Sequence, residues 1–379
     1  MKKILVILFA LLLVGGLAAC GGDGGDAAPP PAEEATIAEE PAPPAEEETT
    51  PEEEAPEDDP APPTDEPSGE RLVLGVAMLD MTHEFFVNMI YAGDQAAENA
   101  DVDIIWQSAD SNLERQIALI ENFIEMGVDC ILVDPFDGEA MIPVAERAAE
   151  AGIPFISMGN FIDTPAVTAT LYNDRQDTYV LGQLLMHYLE YTDRLGEVAI
   201  LYGAAGNFVS DERQGGFETA AAEMDFTNTS LPVGWDVAET LRVTQDLLLS
   251  NPDIVGIHSF SDGNTAGVLT AIEQAGRTGE IVITSYDGDP EMAELVADGD
   301  VLATLLTGAR RIGYWNVWLG AQLARGDELP QRNYLPSHFV MTEETRALFE
   351  EWGLGYDGIS IITPEVALDL FHNFADDFQ

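Results

Sequence analysis

The sequence predicts an α/β protein with two doubly wound lobes, each built on a parallel sheet that is covered by helices. Two observations lead to this prediction. Short apolar runs typical of buried strands alternate with segments of helical periodicity from residue 72 onward, and the alternation starts again after about residue 174. Two such units within residues 71–379 are each of ordinary domain size, so we expect two lobes with a cleft between them.

The first unit begins with an apolar strand and then alternates between helix and strand. Its clearest helix places Ile117, Ile120, Phe123 and Ile124 at spacings that put them on one face. The predicted strands are 72–78, 102–106, 130–133 and 153–158, and the predicted helices are 86–99, 113–126 and 140–151.

The second unit repeats the same alternation. The predicted helices are 177–191, 213–224, 238–249, 265–275 and 291–297, and the predicted strands are 198–201, 229–233, 254–258, 281–285 and 301–306. In a two-lobed protein of this kind, a ligand site is expected in the cleft, beside the carboxyl ends of the strands.

Residues 1–20 have the pattern of a bacterial export signal. Lys2 and Lys3 precede an apolar stretch over 4–13 that is too short to span a bilayer. The following Leu-Ala-Ala-Cys at 17–20 resembles the lipobox of bacterial lipoproteins, which implies that Cys20 becomes a lipidated N-terminus. An ordinary secretory signal with a chance cysteine is the alternative. The resemblance predicts an extracytoplasmic protein held at the cell membrane by acyl chains.

Residues 21–70 are predicted to be a disordered acidic tether. They carry 18 acidic side chains, no basic ones and 12 of the 22 prolines. Such a stretch buries too little apolar surface to offset the entropy of ordering, and its like charges keep it extended. A specific acidic binding tail is the alternative, with no motif in its favour.

Composition excludes several classes of function. The formal charge of −54 argues against nucleic acid, because binding phosphates requires clustered cations. Both lysines lie in the signal, so the mature chain lacks a lysine for Schiff-base or Walker-type chemistry. Two cysteines cannot form a disulfide scaffold. We predict no cofactor, no metal site and no catalytic residue, hence no enzyme.

Short motifs are spread in order along the folded part. They comprise Glu84-Phe85-Phe86, Asp110-Ser-Asn112 with Gln116, Gly127-Val-Asp129, Asp134-Pro135 with Asp137, Ala151-Gly-Ile-Pro154, Asp211-Glu-Arg213 with Gly216-Phe217, Trp235-Asp236, Asn251-Pro-Asp253, Ser261-Asp262 and Tyr286-Asp287-Gly288. Together they resemble the type I periplasmic sugar-binding proteins of the ribose-binding kind, the extracytoplasmic receptors of ABC transporters. The resemblance covers about residues 72–341.

The resemblance implies discontinuous lobes joined by a hinge of several chain segments. The three crossings are expected near Asn173-Asp174, Thr307-Gly308 and Pro336-Ser337. Lobe one then comprises 71–173 plus 308–336. Lobe two comprises 174–307 plus 337–379, and its end from residue 343 is an extension beyond the matched part.

The resemblance also assigns ligand-binding roles. Phe85 and Phe86 match an aromatic pair in lobe one, and Trp235 matches an aromatic in lobe two that would stack on a sugar face. Arg213 matches a ligand-binding arginine at a helix start, and Asp287 matches a carboxylate after a strand. The alternatives are core packing for the aromatics, a surface ion pair for Arg213 and a helix cap for Asp287.

Four positions depart from the family pattern. An expected Asp-Arg pair is Gly159-Asn160, which leaves Asn160 as the polar residue there. His83, Ser261 and Thr307 stand where the family has asparagine, asparagine and glutamine. These changes put ribose in doubt and leave a polyol-like ligand plausible. His83 could instead cap the next helix, and Asp262 is expected to be a helix N-cap rather than a ligand contact.

The resemblance implies a monomeric receptor that captures a monosaccharide or polyol and delivers it to ABC transporter permease subunits. A receptor for a signal molecule or nucleoside that feeds a sensor or chemotaxis protein is the alternative. A sugar hydrolase would require two carboxylates about 5–10 Å apart across the cleft, and Asp287 has no evident second carboxylate at the matched positions.

Overall fold

The computed structural model describes residues 71–375. The predicted signal, the predicted lipidation site Cys20 and the predicted tether lie outside the described residues, as do the last four residues. Within 71–375, no helix combines the length and the apolar character needed to cross a bilayer.

Lobe one is built on a six-stranded sheet in which all strands are parallel. Its elements are β1 (Val73–Met78), α1 (Glu84–Asn99), β2 (Asp103–Ser108), α2 (Leu113–Met126), β3 (Cys130–Val133), α3 (Gly138–Glu150), β4 (Phe155–Met158), β5 (Thr168–Leu171) and, from further along the chain, α9 (Ala309–Ala324) and β11 (Arg332–Tyr334). The strand order β11-β5-β4-β3-β1-β2 reverses direction at β1, which creates a crevice at the carboxyl ends of β1 and β3.

Lobe two contains a four-stranded parallel sheet and a three-stranded sheet. Its elements are α4 (Asp174–Tyr191), β6 (Glu197–Tyr202), α5 (Phe208–Glu223), β7 (Asn228–Pro232), α6 (Val237–Ser250), β8 (Ile254–Ser259), α7 (Asp262–Gln274), β9 (Val282–Thr284), α8 (Pro290–Asp298), β10 (Thr304–Leu306), β12 (His338–Val340), α10 (Glu343–Glu351), β13 (Ser360–Ile362) and α11 (Pro364–His372). Parallel bridges of Thr284 with Ala303 and of Asp287 with Leu306 link β9 to β10. In the four-stranded sheet the order is β7-β6-β8-β9, which reverses direction at β6. As in lobe one, this reversal creates a crevice, here at the carboxyl ends of β6 and β8.

The predicted α/β class with two lobes of parallel strands is confirmed. The apolar strands lie in the cores; all four residues of β3 are buried, for example. Cys130 is fully buried there and packs as a small apolar side chain.

Two helix starts are set by capping side chains, which hydrophobic periodicity does not detect. Asn207 accepts a hydrogen bond from the Ser210 N–H, so α5 begins at Phe208 rather than at the predicted residue 213. Arg213 therefore lies in the second turn of α5, and its predicted position at a helix start is wrong. Asp137 caps α3 in the same way through the Ala140 N–H.

The C-terminal end of the chain differs from the prediction. β12 and α10 belong to lobe two, and β12 pairs with β10. Phe374, however, is 3% exposed and packs in the core of lobe one. Phe374 and Ala375 therefore pack on lobe one, whereas the sequence assigned residues 337–379 to lobe two. The remaining lobe boundaries stay predictions.

Candidate ligand-binding site

The side chains of the candidate site follow the carboxyl ends of strands in both lobes. In lobe one they come after β1 and β4, and in lobe two after β7, β8, β9 and β10, with Arg213 on the helix after β6. Because parallel strands end at one edge of a sheet, these positions converge on the crevices that the strand order creates.

Arg213 is the centre of the lobe-two half of the site. Its side chain is 7% exposed; its Nε donates to Asp174 Oδ1 at 2.9 Å and its Nη1 to Asp287 Oδ1 at 3.2 Å. Nη1 also donates to the carbonyl of Phe260 at 2.6 Å, and the guanidinium lies 3.5 Å above the Tyr286 ring. Within residues 71–375, these contacts engage Nε and Nη1, and none of them involves Nη2.

Opposite charges decide the protonation state of Arg213. Burial lowers its pKa, but Asp287 and Asp174 more than offset this effect, so the net pKa is raised and the guanidinium stays charged. Asp174 Oδ2 and the Tyr286 hydroxyl are also buried beside the guanidinium, and burial and the neighbouring Asp174 raise the pKa of Tyr286, so its hydroxyl stays protonated.

Asp287 has a backbone conformation that L residues rarely adopt. Its φ of 121° lies in the region where strain is stored, and such outliers cluster at ligand-binding sites. Its carbonyl accepts from the N–H groups of Thr307 and Gly308 at 3.1 and 3.0 Å, and its Oδ2 accepts from the Ser261 hydroxyl at 2.9 Å. Burial raises the pKa of Asp287, while Arg213 acts in the opposite direction. The backbone and Ser261 therefore aim this carboxylate at Arg213.

Ser261 and Asp262 both stabilise the segment that carries Asp287. Ser261 is 6% exposed and donates its hydroxyl to Asp287 Oδ2, and a ligand contact of Ser261 stays a prediction. Ser261 is also the N-cap residue of α7, so the prediction that Asp262 is the N-cap is wrong. The Asp262 carboxylate instead accepts from the Gly288 and Asp289 N–H groups at 2.6 and 2.8 Å and from Thr304 Oγ1 at 2.9 Å. Asp262 thus fixes the loop that carries Asp287.

Trp235 has the exposure expected of a stacking residue. Its side chain is 47% exposed, and its ring lies 4.7 Å from that of Phe260, whose carbonyl accepts from Arg213. Gly234, with φ of 59°, makes the turn that projects Trp235 beyond β7. Trp235 therefore lies close to the arginine, with an apolar face that solvent can reach.

The aromatic pair of lobe one is half-buried at the start of α1. Phe85 and Phe86 pack against the lobe-one core, with their rings edge to face at 5.5 Å. His83 is exposed and is the N-cap of α1, where its Nδ1 accepts from the Phe85 N–H at 3.3 Å. Capping is thus its observed contact, and a ligand contact for His83, Phe85 or Phe86 stays a prediction.

Asn160 links lobe one to lobe two. Its Nδ2 donates to Asp134 Oδ1 at 3.2 Å, and its Oδ1 accepts from the Val209 N–H of α5 at 3.5 Å. The neighbouring Phe161 ring lies 5.9 Å from that of Phe208. The two lobes therefore touch across the cleft at this point.

Asp134 is a buried carboxylate that the sequence marked only as part of a motif. It is 8% exposed directly after β3, and burial raises its pKa to about 7, while the bond from Asn160 acts in the opposite direction. Its position after an apolar strand was a usable signal, but its burial was not, since that depends on the packing of the neighbouring loops.

The predicted crossings converge on Thr307. This residue is 1% exposed, and its carbonyl accepts from the Tyr172 hydroxyl at 3.1 Å and from Arg311 Nη1 at 3.0 Å. Arg311 Nη2 also donates to the Pro336 carbonyl at 2.8 Å. Thr307 therefore joins the predicted crossings to Asp287 through its backbone, and a ligand contact of its side chain stays a prediction.

Comparisons with known proteins identify a family and related binding proteins. Residues 74–328 match a family model described as a periplasmic binding protein domain. The chain is 27% identical to a D-ribose/D-allose-binding protein of Pseudomonas aeruginosa over 62% of this chain and 76% of that protein. It is also 27% identical to a xylitol-binding protein of Mycolicibacterium smegmatis over 68% of this chain and 71% of that protein.

The chain also resembles solved structures of binding proteins, including two that it matches over the whole length of the solved chain. An ABC transporter periplasmic solute-binding protein from Actinobacillus succinogenes, with bound D-allose, superposes with a TM-score of 0.67 and 28% identity, covering 73% of this chain and all of that one. A solute-binding protein from Bacillus halodurans with bound myo-inositol has a TM-score of 0.66 at 23% identity, covering 76% of this chain and all of that one, which shows the fold alone.

Proposed function

Since the chain belongs to the periplasmic binding protein domain family, we propose that it is the carbohydrate-capturing receptor of an ABC transporter, with a monosaccharide or polyol as its ligand. The proposal places the ligand between the two lobes and the receptor on the extracytoplasmic side of the membrane. From there it delivers the ligand, as a monomer, to the permease subunits. The relatives are binding proteins, and the role proposed here is binding without catalysis.

The observation that carries the proposal is the buried pair of Arg213 and Asp287 beside the half-exposed Trp235. A sugar has apolar C–H faces and a rim of hydroxyl groups. The Trp235 face suits the former, and charged donors and acceptors form the strongest hydrogen bonds to the latter. The D-allose, xylitol and myo-inositol bound by the relatives and neighbours are all small polyhydroxylated molecules.

Each lobe supplies part of the proposed site, and this explains capture. Arg213, Asp287 and Trp235 belong to lobe two, whereas Phe85, Phe86 and Asn160 belong to lobe one. A ligand that contacts both sets binds the closed arrangement better than the open one, so it shifts the population toward closure. The contact of Asn160 with the Val209 N–H is one that opening would break.

A calorimetric screen tests the proposed function. The purified full-length chain is titrated with D-allose, D-ribose, xylitol, myo-inositol and, for the sensor alternative, a nucleoside. We expect at least one sugar or polyol to bind with a Kd in the micromolar range, roughly −8 kcal/mol, and to change the tryptophan fluorescence. The fluorescence change should be lost in Trp235→Phe. It should be kept in Trp352→Phe, because the Trp352 ring stacks on His187 and makes no contact with Arg213 among those described. Binding of the nucleoside alone, or of no compound, contradicts the proposal.

Cys20→Ser tests the proposed membrane anchor. Without the thiol no thioether to a diacylglyceryl group can form, so we expect the protein to move from the membrane fraction to the soluble fraction. Cys130→Ala changes the other cysteine, which is buried in β3, and should leave the protein with the membrane. A Cys20→Ser protein that stays membrane-bound contradicts the anchor but not the ligand-binding role.

A further inference from the structure

The last described segment of the chain contacts both lobes. We define the strap as residues 364–375, which comprise α11 and the residues after it. The strap lies beyond residue 328, where the match to the family model ends. No part of the proposed ligand site lies in it, so its role is a separate question.

The first part of the strap is seated on lobe two. α11 packs against α8, and Ala367, which is 1% exposed, shares an apolar cluster with Ala293, Leu306 and Val340. Leu306 is the last residue of β10 and directly precedes Thr307. This end of the strap is therefore anchored at the point where β10 leads into a predicted crossing.

The second part of the strap is seated on lobe one. Phe374 is 3% exposed, and its ring lies 6.4 Å from Tyr91 of α1 and 5.7 Å from Tyr314 of α9, both in edge-to-face geometry. Edge-to-face aromatic contacts contribute beyond the area that they bury. Phe374 is thus an integral part of the lobe-one core rather than a loosely placed tail residue.

Arg310 clamps the strap where it passes from one lobe to the other. Its guanidinium lies 4.0 Å above the Phe371 ring and 4.7 Å from the Tyr91 ring. Nη1 donates to the Phe371 carbonyl at 3.2 Å, and Nε donates to Asn88 Oδ1 of α1 at 3.0 Å. One arginine therefore holds the strap and α1 together.

The clamp is directly next to the hinge contacts. Arg310 and Arg311 are consecutive in the first turn of α9, and Arg311 donates to the carbonyls of Thr307 and Pro336. The same structure has the lobes in contact through Asn160 and Val209. A docked strap thus accompanies touching lobes and adds a fourth connection beside the three predicted crossings.

We propose that the strap holds the two lobes toward the closed arrangement, so that its release opens the cleft and weakens ligand affinity. A ligand that binds the closed state has an apparent affinity proportional to the fraction of protein in that state. A docked strap raises this fraction, and loss of its Arg310 or Phe374 contacts lowers it. The link to affinity rests on the proposed function, whereas the effect on lobe separation does not.

Lobe separation without ligand is the primary test. Spin labels are attached in a Cys20→Ser background at Met126→Cys of lobe one and Leu249→Cys of lobe two, two positions that are 58% and 86% exposed. Cys130 is fully buried, so it is not labelled. We expect Arg310→Gln and Phe374→Ala to increase the long-distance population measured by double electron–electron resonance at least threefold.

Matched controls separate release of the strap from general destabilisation. Arg346→Gln removes an exposed arginine of α10 that pairs with Glu350, within lobe two. Phe349→Ala removes a phenylalanine that is 1% exposed in the lobe-two core. Both should keep the wild-type distance distribution, even where Phe349→Ala lowers the Tm.

Affinity is the second test, measured with D-allose and myo-inositol by calorimetry. We expect a three- to tenfold weaker Kd in Arg310→Gln and no change in Arg346→Gln. Unchanged ligand-free distances in both Arg310→Gln and Phe374→Ala overturn the proposal. A weaker Kd without a change in distance also overturns it. If no sugar or polyol of the screen binds the wild-type protein, the proposed function fails, while the ligand-free distances still decide whether the strap holds the lobes together.

Discussion

Asp287→Asn is expected to weaken ligand binding ten- to hundredfold while the protein remains folded. The carboxylate that accepts from Arg213 would also accept from a ligand hydroxyl in the proposed site. Replacing it by an amide removes a charge-assisted acceptor for the ligand, whose loss costs about 1.5–3 kcal/mol of binding. Asparagine tolerates positive φ as aspartate does, so the backbone at 121° is preserved. Arg213 keeps its pairing with Asp174. The measurement is the Kd, by calorimetry, of the tightest-binding sugar in the screen.

The charge balance predicts that the Tm of Asp287→Asn is unchanged or higher. Arg213 faces two carboxylates, and burial raises the pKa of Asp287, so the charged form of Asp287 is destabilised in the folded protein. Asp300→Asn, an exposed change of the same charge in lobe two, controls for net charge and should leave the Kd unaltered. Wild-type affinity in Asp287→Asn means that the ligand site lies elsewhere.

Arg213 itself is a less informative target when changed to alanine. Removing one partner of a buried ion pair typically costs about 3–5 kcal/mol, because the remaining charges lose their compensation. Arg213→Ala would leave Asp174 and Asp287 in that position, so lost binding could reflect unfolding. Arg213→Lys keeps the charge but cannot hold both carboxylates in the same geometry. We expect it to fold and to bind weakly, with Arg242→Lys on the exposed face of α6 as control.

Asp134→Asn is expected to stabilise the protein at and above pH 7 and to reduce the loss of stability as pH rises. Burial raises the Asp134 pKa from 3.8 to about 7, so between these values the folded state holds a proton that the unfolded state releases. This contribution to stability is fully present below about pH 3.8 and is lost as pH rises through 7. With 1.36 kcal/mol for each pKa unit, the effect is at most about 4 kcal/mol.

Chemical denaturation between pH 5 and pH 8 measures this effect. Wild-type stability should fall over this range, and the fall should be smaller in Asp134→Asn, whose amide can still accept from Asn160. The pKa of Asp177 is raised to about 6 and that of Asp289 to about 7, both mainly by burial, so part of the slope remains. Asp137→Asn exchanges one good N-cap for another at an exposed position and should leave the slope unchanged. An unaltered slope in Asp134→Asn contradicts the prediction.

Parts of the fold and of the site were predictable because they depend on local order in the chain. A buried strand is a short apolar run, and a helix shows apolar residues at helical spacing. The bounds of β3 and α2 therefore agree with the prediction at both ends. The roles of Arg213, Trp235 and Asp287 were inferred from the family resemblance of motifs around strand ends, and their ligand contacts stay predictions. Helix α5 was misplaced by five residues at its start, because the cap at Asn207 lies before the periodic apolar pattern.

The sequence by itself determined the two-lobed α/β architecture, the export signal with Cys20 as an expectation, and the side chains from which a sugar site could be built. Only the tertiary structure decided how these side chains are used. Arg213 meets Asp174 across 39 residues of chain and Asp287 across 74, and such partners cannot be chosen by local pattern. Likewise, burial raises the pKa of Asp134, and the packing of Phe374 brings the last described residues onto lobe one. Hydrophobic periodicity indicates which side chains face a core. The contacts between distant segments depend on how the sheets and the hinge position those segments in space.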